Sequence, residues 1–552
     1  RTAAMNARLA IAILSLSALP SLGGLCHKRR VQGQGAAAAR PTFTMNHHRV
    51  LLDGQGKILP WTSYDEVARL AFRGLASFPV QPNGLPTWYS HSRFEPDTLA
   101  GVTWPHNPAG LNAMLVDSAI GWYAYSGDRA VVDLVRGSLD HQLSHGTTPP
   151  GWAWASVPFS SADPGAFDYR GADDAFCDGC GRGDGVGHLE PDKVGELGYG
   201  YLRFFELTGE VKYKDAAVAC ATALARHVRP GDETHSPWPF RVRGEDGVAR
   251  DEYSANVIGA IMLFDELKRL GLGGESFGRA RDVAWQWMMA FPMQNEAWAG
   301  YFEDIPIYRK PADNPNQYSP LQTAHYLLDH PELDPAWREH VPQLLAFVRR
   351  VFAADANDER GVQFGAEVLS EQKADMAKMA SHTARYGSIH ALWFEKTGDT
   401  ASKETAARSL AWATYWCSPE GMVKVGADDG EGWWFSDGYG DYIRHFVTAL
   451  GAVPEWAPAG ETHLLRSTTV ISRVTYGKTR VSYSAFDPRG EEVLRLARLP
   501  TLVSVGGQPV RPDANADAQT SYEVRSLHGG GFVLRLHRFG GGDIVIDVAE
   551  TR

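Results

Sequence analysis

A repeated phrase of two amphipathic helices joined by a tight turn constrains this chain most. Clear copies occupy residues 121–141, 195–227 and 389–416. The turns read Ser-Gly-Asp, Thr-Gly-Glu and Thr-Gly-Asp at residues 126–128, 208–210 and 397–399. Glycine at this place ends one helix, and the acidic residue begins the next. The pattern therefore predicts a series of αα-hairpins.

The number and spacing of these hairpins favour a closed ring. Less regular copies at residues 255–289 and 321–352 bring the set to five, with turns separated by roughly 60 to 80 residues. A sixth hairpin combines residues 64–78 with the last helix, residues 441–450. Hairpins that are apolar on both sides must stack on neighbours, and either an open solenoid or two concentric layers would satisfy them. Long aromatic and acidic loops, and the lack of a polar capping repeat at either end, favour the closed form.

The pattern changes from helical to alternating after residue 458. The predicted strands are residues 469–476, 479–486, 492–496, 501–505, 531–537 and 543–548. We expect a mainly α chain in which a six-hairpin barrel, residues 41–458, is followed by an antiparallel β-sandwich, residues 459–552. Bracing the barrel is the simplest role for the sandwich, and carbohydrate binding is the alternative.

The amino-terminal segment is typical of a secretory signal peptide. Met5 and Arg8 precede an apolar run of about 11 residues, 9–19. Low-complexity sequence follows at residues 33–40. We expect residues 1–40 to be a signal peptide and linker, and we expect the protein to be exported to the periplasm or to the extracellular space. A buried apolar helix is the alternative.

Composition excludes several classes of function. The net charge of −11 has the wrong sign for a protein that binds phosphate backbones. No apolar run after residue 40 approaches the roughly 20 residues that span a bilayer. With five cysteines a disulfide scaffold is not expected, and Cys220 and Cys417 lie in helical patterns where a free thiol packs as a small hydrophobe. Cys177 and Cys180 form one CxxC in an acidic loop, which fits a local disulfide better than a metal site. We expect no metal or cofactor.

The succession of hairpins and strands resembles the six-hairpin glycosidase superfamily, whose members combine an (α/α)6 toroid with an antiparallel β-domain. The resemblance is to the superfamily as a whole. It implies an oligo- or polysaccharide substrate. Because glycoside hydrolases and several polysaccharide lyases share this architecture, the reaction stays open.

The most concentrated candidate site lies at the entrance of the last helix. Trp433, Trp434, Tyr439, Asp437 and Asp441 fall within nine residues that also contain glycines. Aromatic faces stack on sugar rings, and carboxylates bind hydroxyl groups or transfer protons. The simpler alternative is that both aspartates cap the helix.

A second candidate lies in a helix predicted over residues 376–394. His382, Arg385 and Tyr386 stand at i, i+3 and i+4 and share one face. Arginine can neutralise a uronate carboxylate while the other two side chains transfer protons, as β-elimination requires. The alternative is a buried network in which Arg385 pairs with a nearby glutamate.

Further candidates are spread along the chain. Glu371 precedes the second candidate helix and is a possible acid or base; together with Glu395 it is also a possible partner of that arginine. Glu196 lies between glycines at the start of a hairpin. Tyr253 and Trp88 belong to aromatic polar loops that suit the wall of a cleft.

Taken together, these patterns predict an exported glycoside hydrolase. One carboxylic acid would protonate the glycosidic oxygen, and a second carboxylate would activate water or attack the anomeric carbon. The candidate pair is Asp437 or Asp441 with Glu371 or Glu196. A polysaccharide lyase using the histidine, arginine and tyrosine above, and a non-catalytic glycan-binding protein, are the alternatives.

Overall fold

Among the described residues, helices dominate up to residue 452, and strands dominate after it. The computed structural model describes residues 43–95, 98–173, 183–301, 313–353, 364–426, 433–434, 439–513 and 519–550. The expected signal peptide and linker, together with Asp437, Cys177 and Cys180, lie outside these ranges. The α-helices are α1 (Tyr64–Ala76), α2 (Pro108–Ser126), α3 (Arg129–His145), α4 (Pro191–Thr208), α5 (Val211–His227), α6 (Ile258–Arg269), α7 (Glu275–Ala290), α8 (Pro292–Asn295), α9 (Tyr318–Asp329), α10 (Trp337–Phe352), α11 (Ala380–Thr397), α12 (Thr400–Thr414) and α13 (Asp441–Ala452).

Six of these helices form a closed inner ring. In ring order they are α2, α4, α6, α9, α11 and α13, and α13 packs back against α2. Each inner helix also packs against an outer one: α3, α5, α7, α10, α12 and, for α13, α1. The helical region is therefore the expected (α/α)6 toroid, and its sixth hairpin joins helices from opposite ends of that region.

The hairpin turns have the predicted chemistry. Gly127, Gly209 and Gly398 adopt the left-handed conformation, with φ of 73°, 75° and 78°, and each ends an inner helix. Asp128 and Asp399 each accept a hydrogen bond at 3.0 Å from the backbone N–H two residues on. These contacts satisfy helix ends that would otherwise be unpaired.

Short strands line the loops of the helical region. They are β1 (Thr44–Met45), β2 (His48–Arg49), β3 (Leu51–Leu52), β4 (Ile58–Leu59), β5 (Arg93–Phe94), β6 (His188–Leu189), β7 (Arg241–Arg243), β8 (Ala249–Asp251), β9 (Ser370–Gln372), β10 (Asp375–Lys378) and β11 (Trp433–Trp434). The predicted helix over 376–394 is wrong at its start, because β10 pairs with β9 as a hairpin and α11 begins only at Ala380. Periodicity over so few residues does not separate a strand from a helix.

Two antiparallel sheets make up the carboxy-terminal region. Their strands are β12 (His463–Ser467), β13 (Ile471–Tyr476), β14 (Arg480–Ala485), β15 (Arg489–Leu496), β16 (Pro500–Val505), β17 (Gln508–Pro509), β18 (Ser521–Ser526), β19 (Phe532–Phe539) and β20 (Ile544–Val548). One sheet has the order β12-β15-β19-β18, and the other β13-β14-β20-β16-β17. All six predicted strands are present. Sequence analysis missed β12, β17 and β18, all of which lie at sheet edges, where the burial that produces alternation is weakest.

The strand region is fixed to the helical ring by specific contacts. The hydroxyl of Tyr476 donates to the backbone of α2. His463 stacks on Tyr125 with ring centroids 4.1 Å apart. Arg466 forms a two-pronged ion pair with Glu395 of α11, at 2.5 and 2.7 Å. Since Glu395 serves this contact, it is not the partner of Arg385.

Two further expectations concern the cysteines and the membrane. Cys220 and Cys417 are buried free thiols, as predicted. None of the helices in the described ranges is long and apolar enough to cross a membrane.

Candidate active site

Polar side chains from the first two turns of the inner helices meet at one end of the ring. Glu196 lies on α4, Tyr318 on α9, Arg385 on α11 and Asp441 on α13. The guanidinium of Arg385 lies over the ring of Tyr318, 4.5 Å from its centroid, and pairs with Asp441. Closure of the ring thus gathers residues that are far apart in sequence. We call this group the central cluster.

Asp441 is the carboxylate of the central cluster that is paired with arginine. It is fully buried and bound by Arg385, by Arg444 with Nε 3.1 Å from Oδ1, and by His445 with Nε2 3.2 Å from Oδ1. Burial alone would raise the pKa of this carboxyl, but the charges of Arg385 and Arg444 outweigh it and hold the pKa well below its ordinary value. Asp441 therefore stays a carboxylate.

His382 lies between two carboxylates in the same cluster. Its Nε2 is 3.6 Å from Oε1 of Glu371, and its Nδ1 is 3.7 Å from Oδ2 of Asp441. Glu371 is buried on β9 and accepts a hydrogen bond from the Gln372 amide at 3.1 Å. The carboxylate that pairs with Arg385 is accordingly Asp441, and not Glu371.

Glu196 is the second carboxyl of the central cluster, and its contacts differ from those of Asp441. The amide nitrogen of Asn256 donates to Oε1 of Glu196 at 2.8 Å and to Oδ2 of Asp192 at 3.1 Å. The ammonium of Lys193 lies 3.0 Å from the same Asp192 oxygen. Burial raises the pKa of Glu196; the charge of Lys193 opposes this shift and the charge of Asp192 adds to it. The pKa of Glu196 is therefore raised, whereas that of Asp441 in the same cluster is lowered.

Several buried polar atoms here have hydrogen-bonding capacity to spare. Within the described ranges, Oε2 of Glu196, Nε2 of Gln317 and Nε of Arg385 have no hydrogen-bond partner. Buried polar groups are normally satisfied, so such atoms in one cluster suit a ligand rich in hydroxyl groups. A cavity of about 40 Å³ borders Glu196, Tyr318 and Arg444 on the inner side. It has room for a few water molecules.

The remaining predicted residues lie in other surroundings. The hydroxyl of Tyr386 donates to Glu367 at 2.8 Å. Tyr253 is buried and donates to a backbone carbonyl at 2.7 Å. Tyr439 and Trp88 are buried among other rings. Only the backbone of Trp433 and Trp434 is described; it pairs as β11 with β5.

Sequence analysis missed Lys193, Tyr318, Arg444 and His445. Arg444 and His445 stand three and four residues after Asp441 on α13, so helical spacing places them on its face. That signal was available. Lys193 and Tyr318 had no such signal, because their partners come from other parts of the chain.

Among the comparisons with known proteins, one solved structure supports the fold. No protein-family model and no curated protein matches this sequence. Among solved structures, cellobiose 2-epimerase from Bacillus thermoamylovorans B4167 is 9% identical with a TM-score of 0.50, covering 70% of this chain and 98% of that one. A family 76 glycoside hydrolase from a bovine Bacteroides thetaiotaomicron strain is 13% identical with a TM-score of 0.48, covering 72% and 78%. Cellobiose 2-epimerase from Spirochaeta thermophila DSM 6192 is 11% identical with a TM-score of 0.48, covering 71% and 96%. The likeness to the Bacillus thermoamylovorans structure shows that this chain shares the fold of that protein.

Proposed function

We propose that this chain is a carbohydrate-active enzyme that hydrolyses a glycosidic bond, with Glu196 as the proton donor. The observation that carries the proposal is the opposite shift of two buried carboxyls in one cluster: the pKa of Glu196 is raised and that of Asp441 is lowered. Glycoside hydrolysis requires one carboxylic acid and one carboxylate. The raised pKa favours Glu196 as the acid, whereas the lowered pKa of Asp441 makes that carboxylate too weak a base to activate water.

The contacts also indicate which oxygen of Glu196 carries the proton and which carboxylate activates water. Oε2 of Glu196 is the oxygen that carries the proton to the glycosidic oxygen, because Oε1 is held by Asn256. Asp441 is a weak base, since two guanidinium groups stabilise its charge. We therefore assign Glu371, beside His382, as the carboxylate that activates water, and Asp441 as the group that holds Arg385 and Arg444 in place.

The fold supports a sugar substrate by analogy. The solved structure from Bacillus thermoamylovorans is, by its name, an enzyme acting on the disaccharide cellobiose. Fold likeness alone does not transfer a reaction, so the assignment to hydrolysis rests on the central cluster. We also propose that the two sheets form a β-sandwich that braces the barrel, and that residues 1–40 direct export. The amino-terminal sequence of secreted protein would test the latter.

Product analysis with matched variants tests the hydrolase proposal. On a panel of oligo- and polysaccharides we expect new reducing ends, and Glu196→Gln should lower kcat about 100-fold or more. Glu206→Gln is the control, since Glu206 is also a buried glutamate of α4 but pairs with Arg203 and Arg269 instead. Full activity of Glu196→Gln would exclude Glu196 as the proton donor.

β-Elimination is the second candidate reaction. It is favoured by His382, which lies between two carboxylates and beside Arg385. It is weakened by Tyr386, whose hydroxyl is bound to Glu367. A lyase produces an unsaturated uronate that absorbs in the near ultraviolet, a hydrolase releases reducing ends without that absorbance, and a glycan-binding protein does neither.

A further inference from the structure

We propose that Asn256 and Asp192 are positioning residues for Glu196, which they hold through one shared amide nitrogen. This inference rests on the proposed role of Glu196. A primary amide nitrogen has two hydrogens. In Asn256 one points to Oε1 of Glu196, at 2.8 Å, and the other to Oδ2 of Asp192, at 3.1 Å. Both donors are thus used, and two carboxyl groups of α4 are tied to the segment that enters α6.

The loop before α6 holds Asn256 itself in place. The side chain of Asn256 is 2% exposed. Its backbone N–H donates to the hydroxyl of Ser254 at 3.2 Å, and that hydroxyl donates to the carbonyl of Gly300 at 2.6 Å. The N–H of Ala255 donates to the carbonyl of Ala299 at 2.8 Å. The amide therefore presents its two hydrogens from a fixed position.

Close packing leaves the Glu196 side chain little freedom to move away from this amide. A Cβ added to Gly259, at the start of α6, would lie 2.6 Å from Cγ of Glu196. The stem of the glutamate therefore lies directly against the glycine backbone. With its stem held and Oε1 bound, the orientation of Oε2 is set by the protein before a substrate arrives, which is what efficient proton transfer requires.

Asp192 acts on Glu196 through charge as well as through the shared amide. Lys193 balances Asp192, with its ammonium 3.0 Å from Oδ2 and 3.6 Å from the ring centroid of Tyr301. The cavity beside Glu196 is bordered by further titratable groups: Tyr318 from α9, Arg444 from α13, Asp117 from α2, and Tyr199 and Arg203 from α4. The negative charge of Asp192 raises the pKa of Glu196, whereas the hydrogen bond from Asn256 lowers it. The two positioning residues therefore influence the acid in opposite directions.

Because the two residues act on the pKa of Glu196 in opposite directions, their variants should shift the pH profile in opposite directions, which a merely structural role would not produce. On the glycan that the panel identifies, Asp192→Asn should move the alkaline limb of the kcat/KM profile to lower pH, and Asn256→Ala should move it to higher pH. Asn256→Ala should also lower kcat about 10-fold to 100-fold with little change in KM, because the lost interaction orients the acid. Asn112→Ala is the control: Asn112 is buried and accepts a hydrogen bond from Ser138 of the outer helix α3, so the limb should not move.

An infrared titration tests the same point without a substrate. The carbonyl band of a protonated carboxyl that is present in the wild type and absent from Glu196→Gln belongs to Glu196. Its midpoint should fall in Asp192→Asn and rise in Asn256→Ala. If Asn256→Ala does not fold, Asp192→Asn alone decides. If the midpoints and pH limbs do not move and Glu196→Gln is inactive, the positioning role alone is overturned. If Glu196→Gln is active, the proposed function is overturned.

Discussion

At the scale of single residues, the neighbours of a carboxyl decide what it can do. Glu196 and Asp441 are both buried in the same cluster. Two guanidinium groups bind Asp441 and lower its pKa, whereas burial and the neighbouring carboxyl of Asp192 raise the pKa of Glu196. A desolvated carboxyl is charged only where enough positive charge repays the cost of burial.

Removing the charge of Asp441 should destabilise the protein strongly. Among the described residues, Asp441→Asn leaves the buried guanidinium of Arg385 without a carboxylate partner and leaves Arg444 with Asp117 alone, at 3.5 Å, so we expect a loss of about 3–5 kcal/mol in the free energy of unfolding. Asp133→Asn is the matched control, because Asp133 is 61% exposed in its pair with Arg136 and should cost about 1 kcal/mol or less. Urea unfolding measures both. Equal losses would contradict the account.

Glu206 should make stability depend on pH in a specific direction. Burial raises the pKa of Glu206 from its ordinary value of 4.5 to about 9; the charge of Arg203 opposes this rise, and the hydrogen-bonded carboxyl of Glu266 adds to it. Its contribution to stability is complete below the unfolded value and declines as pH rises toward the folded value, because the unfolded chain loses the proton first. Glu206→Gln does not titrate, so its stability relative to the wild type should increase across this range, by up to about 1.4 kcal/mol per pH unit.

Denaturant unfolding at several pH values measures this difference. Glu245→Gln, a change at an exposed glutamate, serves as the control and should run parallel to the wild type. A Glu206→Gln curve that is also parallel to the wild type would show that Glu206 is not protonated in the folded protein.

At the scale of elements, close helix contacts support the site. A Cβ at Gly195 would lie 2.6 Å from the backbone nitrogen of Ala260, and one at Gly259 would lie 2.6 Å from Cγ of Glu196. α4 and α6 are therefore in close contact through these glycines at the level of Glu196. Glycine lowers helix stability by itself, so its presence here reflects the contact.

Alanine substitutions distinguish a glycine that close helix contact requires from a glycine that only lowers helix stability. Gly259→Ala should lower the free energy of unfolding by about 1–3 kcal/mol, because the added methyl group must displace Glu196 or part the helices. Gly278→Ala on α7 has no atom within 4 Å of the added Cβ and should raise stability by about 0.5–1 kcal/mol. Thermal and urea unfolding would show whether the signs differ; a gain at both positions would contradict the proposed contact.

Elements with strong local signals were predictable from sequence. Glycine C-caps and aspartate N-caps mark the hairpins because they act within a few residues. Edge strands such as β12 and β18 escaped prediction because few of their side chains are buried. The pairing of Glu196 with Asn256 and that of Asp441 with Arg385 were not predicted, because these side chains meet only after the ring has closed and no local spacing encodes such a contact.

At the scale of the whole molecule, the strand region and the ring should unfold together. Tyr476, His463 and Arg466 bind the ends of α2 and α11, and Arg269 of α6 pairs with Asp487 at 2.6 Å. These contacts couple the strand region to the inner helices. We expect a single calorimetric transition. Two resolved transitions, with the strand region melting separately, would contradict this coupling.

The structure of the Glu196→Gln variant with a bound glycan tests the central claim most directly. The claim is that ring closure builds the catalytic site where the first turns of the inner helices meet. We predict a sugar whose glycosidic oxygen lies within hydrogen-bond distance of the side chain at position 196, with Arg385 or Gln317 contacting its hydroxyl groups. A glycan bound only to the sheets, or on the outer helices, would contradict the account.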